Sequence, residues 1–353
     1  MPRYKSLRLT RYTRKMDDIA AFIRRLPKAE LHLHLEGTIT PATLIALSAR
    51  HDANPISLPA AESLYQFTDF TGFIEAFKAV TRQLIHPDDY ELAAWRMMQH
   101  LAEQGVVHAE VYISVGVIYM WRNHDPACFE PIFAGLERAR MRAESELGLT
   151  LYWIFDAVRH FTVPEAERVF RKAIELRAQF PSIIGIGLGG DERRTGSEPF
   201  RALYAEARAA GLRLTNHAGE TTGPEAIWEA LSIGSERLGH VLSAIQDPNL
   251  LQELRTRSVG LELNPTSNVR TGVTASFADH PLRRYFDSGL LVTLNSDDPA
   301  FFGSDIASEY LLAHTEQNFT RDELCQLAAN SIRASFLPDS SKQSWLAKIK
   351  ETY

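Results

Sequence analysis

Eight short apolar or β-branched runs recur along the chain, at residues 31–35, 106–114, 149–158, 183–190, 212–217, 237–241, 259–264 and 290–295. Between most of them lie longer amphipathic stretches, among them 164–177, 199–210, 223–231 and 249–257. Pro164 and Pro199 suit the first turn of a helix, where a missing N–H breaks no hydrogen bond, and Gly211 suits a helix stop. Strands alternating with helices predict an α/β fold, and eight of them predict a (β/α)8 TIM-type barrel. The gap between the first two runs is too long for one crossover helix. Extra helices are therefore expected between strands 1 and 2, including 41–51 and 88–104. A doubly wound open sheet is the rival fold. It is disfavoured because no G-x-G-x-x-G follows a strand, and the glycines of Ile184-Gly-Ile-Gly-Leu-Gly-Gly190 sit inside a run at another spacing. The segment Phe67-Thr-Asp-Phe-Thr-Gly-Phe73 predicts either helix-packing core or a lid or wall of a substrate pocket.

No low-complexity linker divides the 353 residues, so residues 21–353 read as one barrel domain. Residues 1–20 read as a basic, flexible N-terminal extension carrying Arg3, Lys5, Arg8, Arg11, Arg14 and Lys15. No apolar core segment follows these charges, which excludes a secretory signal. A transit peptide or a contact for an anionic partner is the alternative reading of this segment. The net charge of −6 lacks the basic stripe that a nucleic-acid surface needs. No apolar run reaches the ~18 residues of a membrane span. Two cysteines, Cys128 and Cys325, make neither a disulfide framework nor a cysteine metal site, and they fit a reducing, cytoplasmic setting. Composition leaves the oligomeric state open, a homo-oligomer included.

The informative pattern is where the polar residues fall. Run after run ends in groups that an apolar core rejects: His32-Leu-His34-Leu-Glu36-Gly37, Gly189-Gly190-Asp191-Glu192, Asn216-His217-Ala-Gly219-Glu220, Gly239-His240, Asn264-Pro-Thr-Ser-Asn268 and Asn295-Ser-Asp297-Asp298-Pro299. The C-terminal strand ends of a barrel form its active-site face. His32 and His34 are two apart, so a strand projects both imidazoles from one face. With His217 and Asp297 they make three nitrogens and one carboxylate, a donor set for a divalent ion, Zn²⁺ above all. No lysine ends the fourth run, so one metal ion per chain is expected rather than a lysine-bridged pair. Glu220 follows His217 by three residues and is placed as a general acid or proton shuttle. His240 is placed to orient or deprotonate a water. Adjacent Asp297 and Asp298 diverge, so one can bind metal while the other holds substrate or water. The remaining eight of the twelve histidines, His51, His86, His100, His124 and His314 among them, read as surface or structural residues.

Five blocks in order then resemble the adenosine/adenine deaminase family: Leu26-Pro-Lys-Ala-Glu-Leu-His-Leu-His-Leu-Glu-Gly-Thr38, Asn216-His-Ala-Gly-Glu220, Leu238-Gly-His240, Leu263-Asn-Pro-Thr-Ser-Asn268 and Asn295-Ser-Asp-Asp-Pro299. The resemblance implies a (β/α)8 barrel with one catalytic zinc held by His32, His34, His217 and Asp297. It implies Glu220 as the acid that protonates purine N1 and His240 as the residue that orients and activates the water. Asp298 matches the contact to N7 and the water, and Gly190 the amide that meets N3. The implied reaction is hydrolytic deamination of a 6-aminopurine, with zinc lowering the pKa of water toward ~7. Adenosine deaminases carry Asp where this chain has Glu36, whose longer side chain reaches further into the sugar region. Glu there resembles adenine deaminases and the aminodeoxyfutalosine deaminases of menaquinone biosynthesis. Gly189-Gly-Asp-Glu192 is similar to the nucleoside-acting members. The expected substrate is therefore 6-amino-6-deoxyfutalosine or adenosine, with free adenine as the alternative. On the sugar side of the former, Arg159 or Arg270 is placed to meet a carboxylate. A catalytically silent binding relative is the remaining alternative, and the complete ligand set with Glu220 argues against it.

Overall fold

The computed structural model describes residues 18–67 and 70–352. Eight parallel strands pair in chain order: β1 (Lys28–His34), β2 (Val106–Ile113), β3 (Thr150–Val158), β4 (Ile183–Gly189), β5 (Arg213–Ala218), β6 (Arg237–His240), β7 (Gly260–Leu263) and β8 (Leu291–Leu294). Helices lie between them, so the architecture is the nearly closed (β/α)8 barrel that the alternation predicts. Four helices fill the long gap after β1: Pro41–His51, Leu58–Leu64, Phe70–Thr81 and Pro87–Glu103.

Local chemistry starts and stops these elements. Thr40 and Thr162 cap the helices Pro41–His51 and Val163–Arg177, their side chains accepting from Thr43 N and Glu165 N, with proline in each first turn. The second of these helices buries Ala166, Val169, Phe170, Ala173 and Leu176, one face at helical spacing. Burying each of the larger side chains contributes about 1.5–3 kcal/mol. Strand β1 departs from expectation by starting at Lys28 rather than residue 31. The reason is that Lys28 Nζ donates to three main-chain carbonyls, of Ile23 and Leu26 at 2.9 Å and of Gln104 at 2.5 Å. A fully buried lysine is thereby satisfied at the foot of the barrel. Of the N-terminal extension, residues 1–17 with all six basic side chains lie outside the described residues. Residues 18–25 are helical, with Ile19 and Ile23 buried, so 18–20 belong to the packed part. No helix among the described residues is long and apolar enough to cross a membrane.

The described aromatic residues of the segment after residue 66 pack into helix core. Phe73 stacks on Phe302 and meets Phe301 edge-on, with ring centroids 5.4 and 5.5 Å apart. Phe67 adjoins Phe73 at 5.7 Å. Phe301 and Phe302 lie just beyond Asp297 and Asp298, so helix-packing core and the flank of the site are continuous.

Candidate metal centre and active site

The seam of the barrel builds the centre. Beyond β8 the chain reaches β1 through hydrogen bonds that include Asn295 Oδ1 accepting from Leu31 N at 2.9 Å, Asp297 N donating to His32 O at 3.1 Å, and Asp297 O accepting from His34 N at 3.0 Å. The register of β1 against β2 slips between Glu30 and Leu33, and Asp297 takes a left-handed φ of 65°. Non-glycine residues seldom adopt that conformation, and such strain gathers at functional sites. Closing the seam therefore places the Asp297 carboxylate beside both histidines of β1. Its Oδ1 lies 3.3 Å from His32 Nε2 and 3.4 Å from His34 Nε2, and His34 Nε2 lies 3.3 Å from His217 Nε2 at the end of β5. Four ligand atoms bound tetrahedrally at about 2.0–2.1 Å stand about 3.3–3.4 Å apart. His32 Nε2 is buried without a hydrogen-bond partner. Donor types, spacing and that orphaned nitrogen all fit a divalent metal ion.

The residues behind the ligands aim them. Glu262 Oε2 accepts from His32 Nδ1 at 2.6 Å, which orients the ring so that Nε2 faces Asp297. Glu262 also accepts from Tyr112 Oη at 3.1 Å and from Arg237 Nε, and Arg237 Nη1 donates to Glu110 at 2.5 Å. Burial opposes the charge on Glu262, but Arg237, with help from His32, outweighs it and holds the carboxyl below its ordinary value. Asp297 Oδ2 accepts from Ser267 Oγ at 2.6 Å. Burial likewise opposes the charge on Asp297, and His32 outweighs it, so this carboxyl too is held down. Burial keeps His34 and His217 neutral, His34 at about 4 and His217 well below the ordinary value. Glu262→Gln is expected to weaken metal affinity about 10- to 100-fold, the usual loss for a ligand-orienting partner. Competition against a chelator measures it.

A fifth group crowds the centre. One ligand atom each from His32, His217, His240 and Asp297 lies within 4.8 Å of the others. His240 Nε2 lies 3.8 Å from Glu220 Oε2, while its Nδ1 faces the amides of Asn268 and Asn264 at 2.9 and 3.3 Å. Glu220 sits on a turn that Glu192 holds. Glu192 Oε2 accepts from Glu220 N and Thr221 N, both at 3.1 Å, and from Thr222 Oγ1 at 2.8 Å. Burial first, then Asp297 and Glu192, push the Glu220 carboxyl up to about 8. It therefore holds a proton at neutral pH, as a general acid must.

The other expected residues are distributed as follows. Asp298 is buried with its Oδ1 unpartnered, and burial and Asp297 raise its pKa well above the ordinary value. Gly37 makes room for it: a Cβ there would stand 2.1 Å from Asp298 Oδ1 and 2.6 Å from its Cα. Glu36 is tethered through Oε1 to Ser114 N at 3.0 Å, its other oxygen is unpartnered, and burial raises it to about 7. Gly190 has φ 92°, with His160 Nδ1 only 2.8 Å from where a Cβ would be.

Arg159 is held at the strand ends. It is 1% exposed and its guanidinium donates to Leu188 O at 3.2 Å, Asn216 Oδ1 at 2.9 Å and His217 O at 2.5 Å. All three bonds come from Nη2, which braces the ends of β4 and β5, while Nε is buried without a hydrogen-bond partner. Arg270 is exposed, its guanidinium 5.9 Å from the ring centre of Phe67.

Sequence reasoning missed Glu262 and Arg237, and gave the strand-end residue Glu192 no role of its own. A charged residue inside the four-residue strand Gly260-Leu-Glu-Leu263 was the available signal, because a strand buried throughout carries a carboxylate only with a partner. His280 is likewise no surface residue, being buried and bonded to Asn268 Oδ1 at 3.1 Å.

A parallel barrel with a His–Asp metal centre at its strand ends, beside a proton-holding carboxyl, defines the class: a metal-dependent barrel hydrolase. The adenosine deaminase family model matches residues 27–352, and the chain belongs to that family. It is a hydrolytic aminohydrolase. An aminodeoxyfutalosine deaminase of Streptomyces avermitilis is 37% identical over 356 residues, spanning 100% of this chain and 98% of that protein. The crystal structure of an adenine deaminase from Arthrobacter aurescens superposes with a TM-score of 0.85 at 32% identity, over 92% of this chain and 98% of that one. An amidohydrolase from Burkholderia ambifaria with bound Zn gives a TM-score of 0.85 at 25% identity, over 94% and 93% of the two chains.

Proposed function

We propose that the chain holds one zinc ion through His32, His34, His217 and Asp297 and hydrolyses the 6-amino group of a purine nucleoside, 6-amino-6-deoxyfutalosine ahead of adenosine. The observation that carries this reading is the spacing of 3.3–3.4 Å from Asp297 Oδ1 to His32 and His34 Nε2 and from His34 Nε2 to His217 Nε2, beside a carboxyl that stays protonated at neutral pH. When bound, zinc lowers the pKa of a water toward ~7 and polarises it for attack. Water adds at C6, one of its protons passes to the amino nitrogen, the C6–N bond breaks to release ammonia, and the other proton restores Glu220. Glu220 protonates N1 as charge moves into the ring, so it acts mainly on the transition state. Asp298 holds N7 and the attacking water, and the Gly190 amide holds N3. Glu36, tethered on one oxygen, offers the other to a sugar hydroxyl.

At the mouth, Arg270 beside Phe67 supplies a cation next to an aromatic face, the pairing a benzoate-bearing substituent needs. The aminodeoxyfutalosine deaminase relative, matched over 98% of its length, supports the same choice. Two cysteines without a disulfide, Cys128 and Cys325, agree with a cytoplasmic enzyme. The adenine deaminase resemblance keeps the free base as the second reading.

Purine absorbance distinguishes them in a panel of adenine, adenosine, 5′-substituted adenosines and aminodeoxyfutalosine. The expected result is highest kcat/KM for aminodeoxyfutalosine, with adenosine next. Preference for free adenine overturns the nucleoside assignment. Metal analysis is expected to find one zinc per chain, and two per chain overturns the mononuclear site.

A further inference from the structure

A main-chain amide sets the direction of a hydrogen-bond chain that ends in the site. Leu282 N lies 3.2 Å from His280 Nδ1, and a peptide N–H can only donate. His280 Nδ1 therefore presents its lone pair. A neutral imidazole carries one proton, which is then on Nε2. Burial, with a smaller push from His240, lowers the His280 pKa to about 3, so the ring is neutral. His280 Nε2 lies 3.1 Å from Asn268 Oδ1, which accepts the proton's hydrogen bond. This orients the Asn268 amide, whose Nδ2 donates to His240 Nδ1 at 2.9 Å. Asn264 Nδ2 faces the same nitrogen at 3.3 Å. His240 Nδ1 is again the acceptor, so its single proton is on Nε2, the nitrogen nearest Glu220 at 3.8 Å. The backbone holds the ring there through two successive left-handed residues, His240 at φ 63° and Val241 at φ 55°.

We propose that His280 and Asn268 are positioning residues that lock His240 in the Nε2–H tautomer, so that His240 donates a hydrogen bond to the attacking oxygen and does not remove its proton. The consequence for turnover rests on the deaminase reading; the tautomer does not. A fixed donor at this point stabilises negative charge as it develops on the oxygen. It also explains why His240, although crowded among the ligands, is no ligand: a nitrogen carrying a proton has no lone pair for a metal.

Histidine-selective ¹⁵N labelling tests the relay directly. Long-range ¹H–¹⁵N spectra report which ring nitrogen is protonated, with His240 and His280 assigned by the signals lost in His240→Asn and His280→Gln. Both rings are expected to show the Nε2–H pattern in the wild type. Asn268→Asp replaces the donor by a carboxylate that only accepts, so His240 is expected to switch to Nδ1–H. Its kcat should fall ~10²-fold, the worth of one preorganised donor, with KM within about threefold and zinc content unchanged. His280→Gln keeps an N–H at the position of Nε2 and is expected to retain the His240 tautomer and turnover, whereas His280→Phe loses turnover. An Nδ1–H pattern for His240 in the wild type overturns the proposal. So does near-wild-type turnover by Asn268→Asp, or by His280→Phe. If no aminopurine is turned over, the spectra still decide the tautomer, which separates failure of the relay from failure of the deaminase reading.

Discussion

Glu220→Gln is expected to lower kcat by about 10²- to 10⁴-fold, the range for a lost general acid, while fold and metal content stay as they are. The amide matches the carboxyl in shape but has no acidic proton to deliver. The turn that carries it is held through its backbone, by Glu192 accepting from Glu220 N and Thr221 N, so the substitution leaves the loop in place. The pH profile gives a second readout. Burial, reinforced by Asp297 and Glu192, lifts the Glu220 carboxyl to about 8. A raised carboxyl pKa means the proton is bound below that value and lost above it. Turnover that uses this proton is therefore full at neutral pH and falls as pH rises through about 8. The glutamine variant should lack that falling limb. Near-wild-type kcat in Glu220→Gln removes its acid role.

His34→Ala and His240→Ala are expected to separate sharply. Losing His34 removes a ligand and should weaken metal binding by more than ~100-fold, beyond what an orienting partner alone costs. Losing His240 should leave the metal bound while turnover falls. The reason is directional. His34 Nε2 stands 3.4 Å from Asp297 Oδ1 and 3.3 Å from His217 Nε2, at ligand spacing from both. His240 receives hydrogen bonds on Nδ1 from Asn268 and Asn264 and so presents a proton, not a lone pair. Metal content after dialysis, measured beside turnover, checks both variants. Metal retained by His34→Ala and lost by His240→Ala would exchange their roles. Proximity alone does not choose between them, because His240 lies as close to the cluster as its neighbours.

Most of the candidate site was visible in the sequence because its residues contradict their surroundings. A histidine or aspartate at the end of an apolar run has no structural reason to be there, and His32, His34, His217, His240 and Asp297 all announced themselves this way. Glu36, Glu220 and Asp298 followed from adjacency in the same blocks. Arg159 also ends an apolar run, and there its Nη2 bonds two carbonyls and an amide at the ends of β4 and β5. An arginine that braces carbonyls and one that awaits a carboxylate look alike in one dimension, since the carbonyls come from residues 29 to 58 positions away. His280, read only as surface or structural, lies in no apolar run, and its burial and its bond to Asn268 decide for structural.

Periodicity and strand-end polarity by themselves determined the barrel, its extra helices after β1 and the residue types of a metal centre. Both signals are local, set by the two-residue repeat of strands and the 3.6-residue repeat of helices. The tertiary structure alone decided how those residues act. Asp297 meets His32 and His34 only because the barrel closes through its backbone, joining chain positions more than 260 residues apart. Glu262 aims His32, and His280 through Asn268 sets the proton on His240. Ligand direction, tautomer and carboxyl pKa depend on burial and on partners across the barrel, and a linear pattern carries neither.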